Sequence, residues 1–349
     1  MNPLALYLGI LIFSFIVTSI ATVPFIDLLY KLHLTYHRPI PALTPQESQE
    51  FQVINQNQSW KIGTPIGGGI LLIFLVSFLY LVLYGYLGKL GITITSVFDF
   101  KEELNLLFFT FIAFGLLGLY DDIKKIFNLP KKTSRVSVWP GSKTVFIFIL
   151  SVVVASILYF NVGISLVHIP GFGVIKLGWT YIPLAAIIVS VFCKSYDITD
   201  GLDGLATGVL LFGLLAFWGL SLAALDTVLS VFIALWIGGL LAFLYFNVFP
   251  ARIWLGNAGS LSFGATLAVI ALILGKSFPL LIVGTVFLLE GGSQILQILF
   301  LRVTGRKLFS VTPVHYWLEN HGWPEPKIVM RLWLLAIFTA MLGLWFANF

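Results

Sequence analysis

Ten apolar runs, each near the roughly 20 residues a helix needs to cross a bilayer, recur along this 349-residue chain. They fall at about 3–25, 66–87, 104–120, 144–160, 180–197, 203–224, 227–246, 259–277, 279–301 and 330–348. Inside lipid a backbone must satisfy its own hydrogen bonds, so runs of this length fold as helices and pack together. With 59% apolar and 10% charged residues, the chain has no stretch with the composition of a soluble second domain. The expected fold class is an all-α integral membrane protein, with 1–349 as a single polytopic domain. The first run lacks a charged leader and a small-residue cleavage site and reads as a retained first helix. Between the fourth and fifth runs, 161–180 alternates weakly around Pro170 and Gly171, which predicts a small external β-hairpin.

The basic residues assign the sides. Counted over alternating loops, sixteen Lys and Arg fall on one side, against Lys89, Lys101, Lys176 and Lys276 on the other. The positive-inside rule places the sixteen in the cytoplasm, in loops at about 30–64, 121–143, 194–203, 247–258 and 302–330, with both termini outside. No soluble-type nucleotide fingerprint, repeat or low-complexity tract occurs, and no nucleic acid is expected as a partner. The single cysteine, Cys193, excludes an internal disulfide and reads as a small buried apolar residue.

On this topology the second, fourth, sixth and eighth spans begin at the cytoplasmic face. Their free N–H groups and positive dipole ends gather there, and such ends bind phosphate. The four starts carry Lys61 with GTPIGGG (63–69), Ser142 with Lys143, DITDGLDGLATG (197–208) and GNAGSLSFG (256–264). In the third of these, Asp197, Asp200 and Asp203 recur at spacings of three, the spacing of one helical stripe, with Gly201 and Gly204 leaving room for a ligand. An acid at the bilayer centre costs roughly 2.5–3.5 kcal/mol, so three together call for a cation or a watery site.

Asp121 and Asp122 add a pair at the same boundary. Adjacent carboxylates there suit Mg²⁺, which takes hard oxygen ligands and shares them with substrate phosphates, although charges pairing in a solvated loop give the same pattern. Asn257 lies in a helix start suited to phosphate, and Trp254 offers a platform for a flat ring, while the same glycines also serve close helix contact. Asn247 and Pro250 also fit the simple end of the seventh span. His315, Glu319, His321 and Trp323 crowd the last cytoplasmic loop, as functional groups or as an interfacial belt. Glu290, in the middle of the ninth span with Ser293, Gln294 and Gln297 on its helical face, reads as a packing and hydrogen-bonding residue. Gln297, nearer the cytoplasm, is the better substrate contact.

These residues together resemble the polyprenyl-phosphate N-acetylhexosamine-1-phosphate transferase superfamily, and within it the phospho-N-acetylmuramoyl-pentapeptide branch. The resemblance rests on KIGTPIGGG (61–69), GLYDDIKK (118–125), ITDGLDGLA (198–206), FNVFPA (246–251) through GNAGSLSFG, ILQ (295–297), TGRKLF (304–309) and HGWPEPKIVMRLW (321–333), nearly the whole length in order. It implies transfer of phospho-N-acetylmuramoyl-pentapeptide from its UDP carrier to undecaprenyl phosphate, with Mg²⁺, at the cytoplasmic face of a bacterial plasma membrane. A homodimer is implied as well. By position, Asp121 resembles the acid acting on the lipid phosphate and Asp122 its metal-associated neighbour, while Asp200 and Asp203 match acids of the nucleotide and metal cleft. Lys61, Asn247, Trp254, Ser260 and Gln297 match nucleoside or phosphate contacts, and Lys125 and Lys143 the phosphate-facing lysines.

Three features depart from the family pattern. Its metal-binding Asp is Asn257 here, its three-histidine cluster is reduced to His315 followed by Tyr316 and Trp317, and its usual Asn is Asp197. The first and third suggest an exchange that conserves charge, with Asp197 taking over part of the coordination expected of position 257. A transferase using another UDP-N-acetylhexosamine and a catalytically impaired homologue that binds nucleotide or lipid are the alternatives. A transporter would place its acids at midplane broken helices, where only Glu290 lies.

Overall fold

The backbone accounts for its own hydrogen bonds in the way the hydropathy requires. The computed structural model describes residues 3–35, 51, 54, 58–88, 95–127 and 141–348. Among these, ten helices are long and apolar enough to cross a membrane. In chain order the helices are α1 (Pro3–Lys31), α2 (Gly68–Leu87), α3 (Phe100–Ile126), α4 (Ser142–Phe160), α5 (Tyr181–Thr199), α6 (Leu205–Ala223), α7 (Thr227–Asn247) and α8 (Gly256–Ile273). A short α9 (Ser277–Val283) follows, then α10 (Thr285–Thr304), a short α11 (Val314–Asn320) and α12 (Glu325–Phe346). The expected hairpin is present as β1 (Leu166–Ile169) and β2 (Gly173–Lys176), antiparallel with Leu166 opposite Lys176. Part of the predicted loops at 30–64 and 121–143, including Arg38, Lys131, Lys132 and Arg135, lies outside the described residues, as does Lys89.

Burial sorts the spans into an inner and an outer set. The most apolar stretches of α6, α7 and α8 are 78%, 89% and 89% buried, against 28% for α1 and for α4. A helix apolar all round belongs either inside protein or against lipid, and the chain uses both. Helix α8 packs on α2, α3 and α5, and α7 on α1, α2 and α6. At the centre Phe111, Phe232, Trp236 and Phe263 pack ring on ring, with Phe111 and Phe263 stacked at 5.7 Å.

Small residues let α3 and α8 approach. A Cβ on Gly118 would lie 2.0 Å from the Asn257 carbonyl oxygen, so the two backbones are in direct contact, as small residues permit between membrane helices. Gly118→Ala is therefore expected to cost about 1–3 kcal/mol through overpacking, read as a lower unfolding temperature in detergent. An unchanged unfolding temperature would contradict that contact.

Three boundaries differ from the sequence expectation. Helix α3 runs on to Ile126, so Asp121 and Asp122 are helical and not on a departing loop. The ninth span is preceded by the separate α9, with a break at Gly284, where a side chain would strike the Phe192 ring at 2.3 Å. Helix α5 ends at Thr199 and α6 starts only at Leu205, after Gly204 with its left-handed φ of 75°. Asp197, Asp200 and Asp203 therefore do not form one helical stripe, and the sixth span does not begin on acids.

Candidate active site

The α5–α6 turn sends its three acids in three directions. Asp197, on the last turn of α5, meets Lys143 at the first turn of α4, whose Nζ donates to both carboxylate oxygens at 2.9 Å. The same Nζ lies 3.3 Å from Asp121 Oδ2, and Lys125, one turn further along α3, lies 3.4 Å from that oxygen. Lys194 adds a contact of 3.5 Å to Asp197. A first cluster thus holds Asp121 and Asp197 on one shared lysine. The Asp197 carboxylate faces the Asp121 site, as the charge-exchange idea requires.

Asp122 points elsewhere. It is buried, and its two carboxylate oxygens accept the backbone N–H groups of Asn257 at 2.9 Å and Ala258 at 3.0 Å. The start of α8 is capped by this acid, as the helix dipole favours, so its first amides are not open to a phosphate as expected. The Asn257 amide nitrogen donates to Asp121. Serving a metal through its oxygen would require that amide to turn over.

Asp200, the C-cap residue just past α5, accepts from the Ser260 hydroxyl at 2.7 Å. Burial pushes its carboxyl up to about 7, against the Ser260 hydrogen bond, with the charges of Asp197 and Asp122 adding to the rise. Like charges crowding an acid disfavour its ionised form, and a nearby cation favours it. Of these acids, Asp121 and Asp197 face one another across Lys143 and offer the hard oxygen donors that Mg²⁺ takes. Among the described residues no three His, Cys, Asp or Glu side chains come together as a metal cage.

Asp203 anchors a second cluster. Its Oδ2 accepts the Ala251 N–H at 2.8 Å and its Oδ1 the Trp254 indole N–H at 3.1 Å, with Lys61 Nζ 3.5 Å away. Lys61 also donates to Glu325 Oε1 at 2.8 Å, and that oxygen accepts the Asp203 N–H at 2.6 Å. The Trp254 ring is thereby oriented, with Lys61 5.9 Å from its centre. Glu325 also lines a cleft of about 420 Å³ together with Gln58, Trp60, Phe249, Glu319 and Trp323. The sequence placed Glu325 in the WPEPK segment without giving it a partner, and it did not single out Trp60 or Phe249. The one available signal was an acid in the first turn of a membrane span, where it is both costly and dipole-favoured.

Three expected residues take structural partners. Asn247 accepts from Thr207 at 2.8 Å and donates to the Ile253 carbonyl at 3.0 Å, which ties α7 to α6 and to the strand of chain before Trp254. Gln297 is fully buried and pins 308–309, accepting from Leu308 and Phe309 N–H at 3.0 and 2.9 Å. His315 is fully buried with its Nδ1 2.9 Å from Glu290 Oε2.

Comparison with known proteins adds a family to this geometry. Residues 104–275, which hold the first cluster and both ends of the α5–α6 turn, match the family described as Glycosyl transferase family 4. The chain is 36% identical over 297 residues to the phospho-N-acetylmuramoyl-pentapeptide-transferase of Limosilactobacillus fermentum, covering 83% of this chain and 86% of that one. It is 33% identical over 329 residues to the protein of the same name from Clostridium perfringens strain SM101, covering 94% and 92%. That of Pelagibacter ubique is 34% identical over 302 residues, covering 81% and 80%.

Proposed function

Because this chain belongs to the phospho-N-acetylmuramoyl-pentapeptide-transferase family, we propose that it transfers phospho-N-acetylmuramoyl-pentapeptide from its UDP carrier to undecaprenyl phosphate, releasing UMP, with its site at the cytoplasmic face. The observation that carries this reading is the pair of charge clusters at one end of a membrane bundle. One is built on acids and lysines around Asp121, and the other on an oriented indole beside Lys61 and Asp203.

The two clusters suit two halves of one reaction. Lys125 and Lys143 neutralise Asp121 and draw phosphate to it, so an anionic acceptor can approach a carboxylate. Asp121 takes the proton of the acceptor phosphate, or attacks in its place, from the last turns of α3. Trp254 offers its face to the uracil, with its N–H fixed on Asp203, and Lys61 lies where a nucleotide oxygen would meet it. Asp121 and Asp197, with Asp122 and Asp200 close by, would hold Mg²⁺, which would supply charge neutralisation at the diphosphate. The lipid tail stays in the bilayer while its phosphate reaches the boundary, which explains a polar site at helix ends.

The test is UMP release by the purified protein from UDP-N-acetylmuramoyl-pentapeptide and undecaprenyl phosphate. Release is expected to stop with EDTA and to return with added Mg²⁺. Turnover indifferent to the chelator would overturn the metal's part, and release from a different UDP-N-acetylhexosamine alone would overturn the donor.

A further inference from the structure

The turn at 200–204 separates the two clusters, and the last helices grip it from one side. Glu325 Oε1 accepts the Asp203 N–H at 2.6 Å, and the Trp333 indole N–H donates to the Gly204 carbonyl at 3.2 Å. The third grip is the His315 ring. Its Nε2 is buried with no hydrogen-bond partner among the described residues, and it lies against Gly201, where a Cβ would come within 2.5 Å of it. The ring is held there by Glu290 of α10, whose Oε2 lies 2.9 Å from Nδ1 and accepts the His315 backbone N–H at 3.3 Å. A carboxylate that accepts from Nδ1–H fixes the tautomer and the orientation of an imidazole. Glu290 is itself 1% exposed, and an acid kept in a membrane span is costly without a task.

We propose that Glu290 is a positioning residue for the transferase reaction inferred above, on which this assignment rests: by holding the His315 ring against Gly201, it sets where the turn presents Asp200 to the first cluster. It acts through a hydrogen bond and touches no substrate. Asp203 is tied separately by Lys61, Trp254, Ala251 and Glu325. A loosened ring therefore moves Asp200 and spares the nucleoside side, so the rate falls while donor binding stays.

The experiment compares Glu290→Ala, Glu290→Gln, Gly201→Ala and the Glu290→Ala/Gly201→Ala pair in the purified full-length protein. Glu290→Ala is expected to lower kcat about tenfold, the range seen when a hydrogen-bond partner behind a site is lost, with the donor KM nearly unchanged. Glu290→Gln, whose amide oxygen still accepts from Nδ1–H, is expected to restore most of kcat. Gly201→Ala should act like Glu290→Ala, and the pair should lose less than the product of the two, because a freed ring yields space to the methyl. An unchanged kcat for Glu290→Ala, a Gln variant as impaired as the Ala variant, or multiplying losses would each overturn the proposal. Thermal unfolding of the same four proteins in detergent reads the contact without substrate. Non-additive shifts in a protein that shows no transfer would sink the transferase reading and leave the grip on Gly201 standing, whereas additive shifts would sink the grip.

Discussion

Asp121→Asn is expected to lower UMP release by about 10²- to 10⁴-fold, the range for loss of a positioned acid or base, in a protein that remains folded. The side chain is partly exposed, and its removal leaves Lys143 on Asp197 at 2.9 Å. No buried charge is stranded, so the unfolding temperature should barely move. Activity within threefold of the natural protein would show that Asp121 does not carry the chemistry, and a collapse of stability would make its role structural.

The largest effect on stability is expected at Lys61→Met. The Asp203 and Glu325 side chains are 1% and 7% exposed, and Lys61 is the cation they share, at 3.5 and 2.8 Å. Removing one partner of a buried ion pair costs about 3–5 kcal/mol, because the remaining charge has neither water nor a counter-charge. The variant should unfold at a markedly lower temperature and bind UMP poorly. Adding Glu325→Gln to Lys61→Met should recover part of the loss, since it removes one stranded charge. A Lys61→Met protein as stable as its parent would contradict the buried network.

The ten spans were legible because hydropathy reports length and polarity, and both are large here. Helix ends were less so. Asp121, Asp122, Lys124 and Lys125 look like a loop after an apolar run, yet the helix continues through them. Charged side chains are tolerated at the boundary, and Asp121 and Lys125 form an i,i+4 pair. The spacing of Asp197, Asp200 and Asp203 fits a helical stripe, but the helix ends at Thr199 and Asp200 leaves helical geometry with ψ 49°, so the three acids diverge.

Which acids to single out was readable from their unusual place beside membrane spans. What each one meets was not. Lys143 and Asp197 are 54 residues apart, and Lys61 and Glu325 are 264 apart, so no local periodicity pairs them. The resemblance named Lys61, Lys143 and Asp203 without linking Lys61 to Glu325. It gave Asp121 and Asp122 separate roles without saying what each side chain meets, and the fold turns one to lysines and the other to the backbone of α8. Gln297 and Asn247 matched substrate contacts by position, and in the fold their amides also bond the chain itself.

The central claim is that the site works as the sequence stands, with Asn257 beside Asp121 and the missing charge supplied at Asp197. It is tested most directly by measuring Mg²⁺-dependent UMP release side by side for the natural protein and for Asn257→Asp. The account predicts clear turnover by the natural sequence, with Asn257→Asp giving at most a modest gain. No turnover until the aspartate is introduced would contradict it and would make this chain an impaired member of its family.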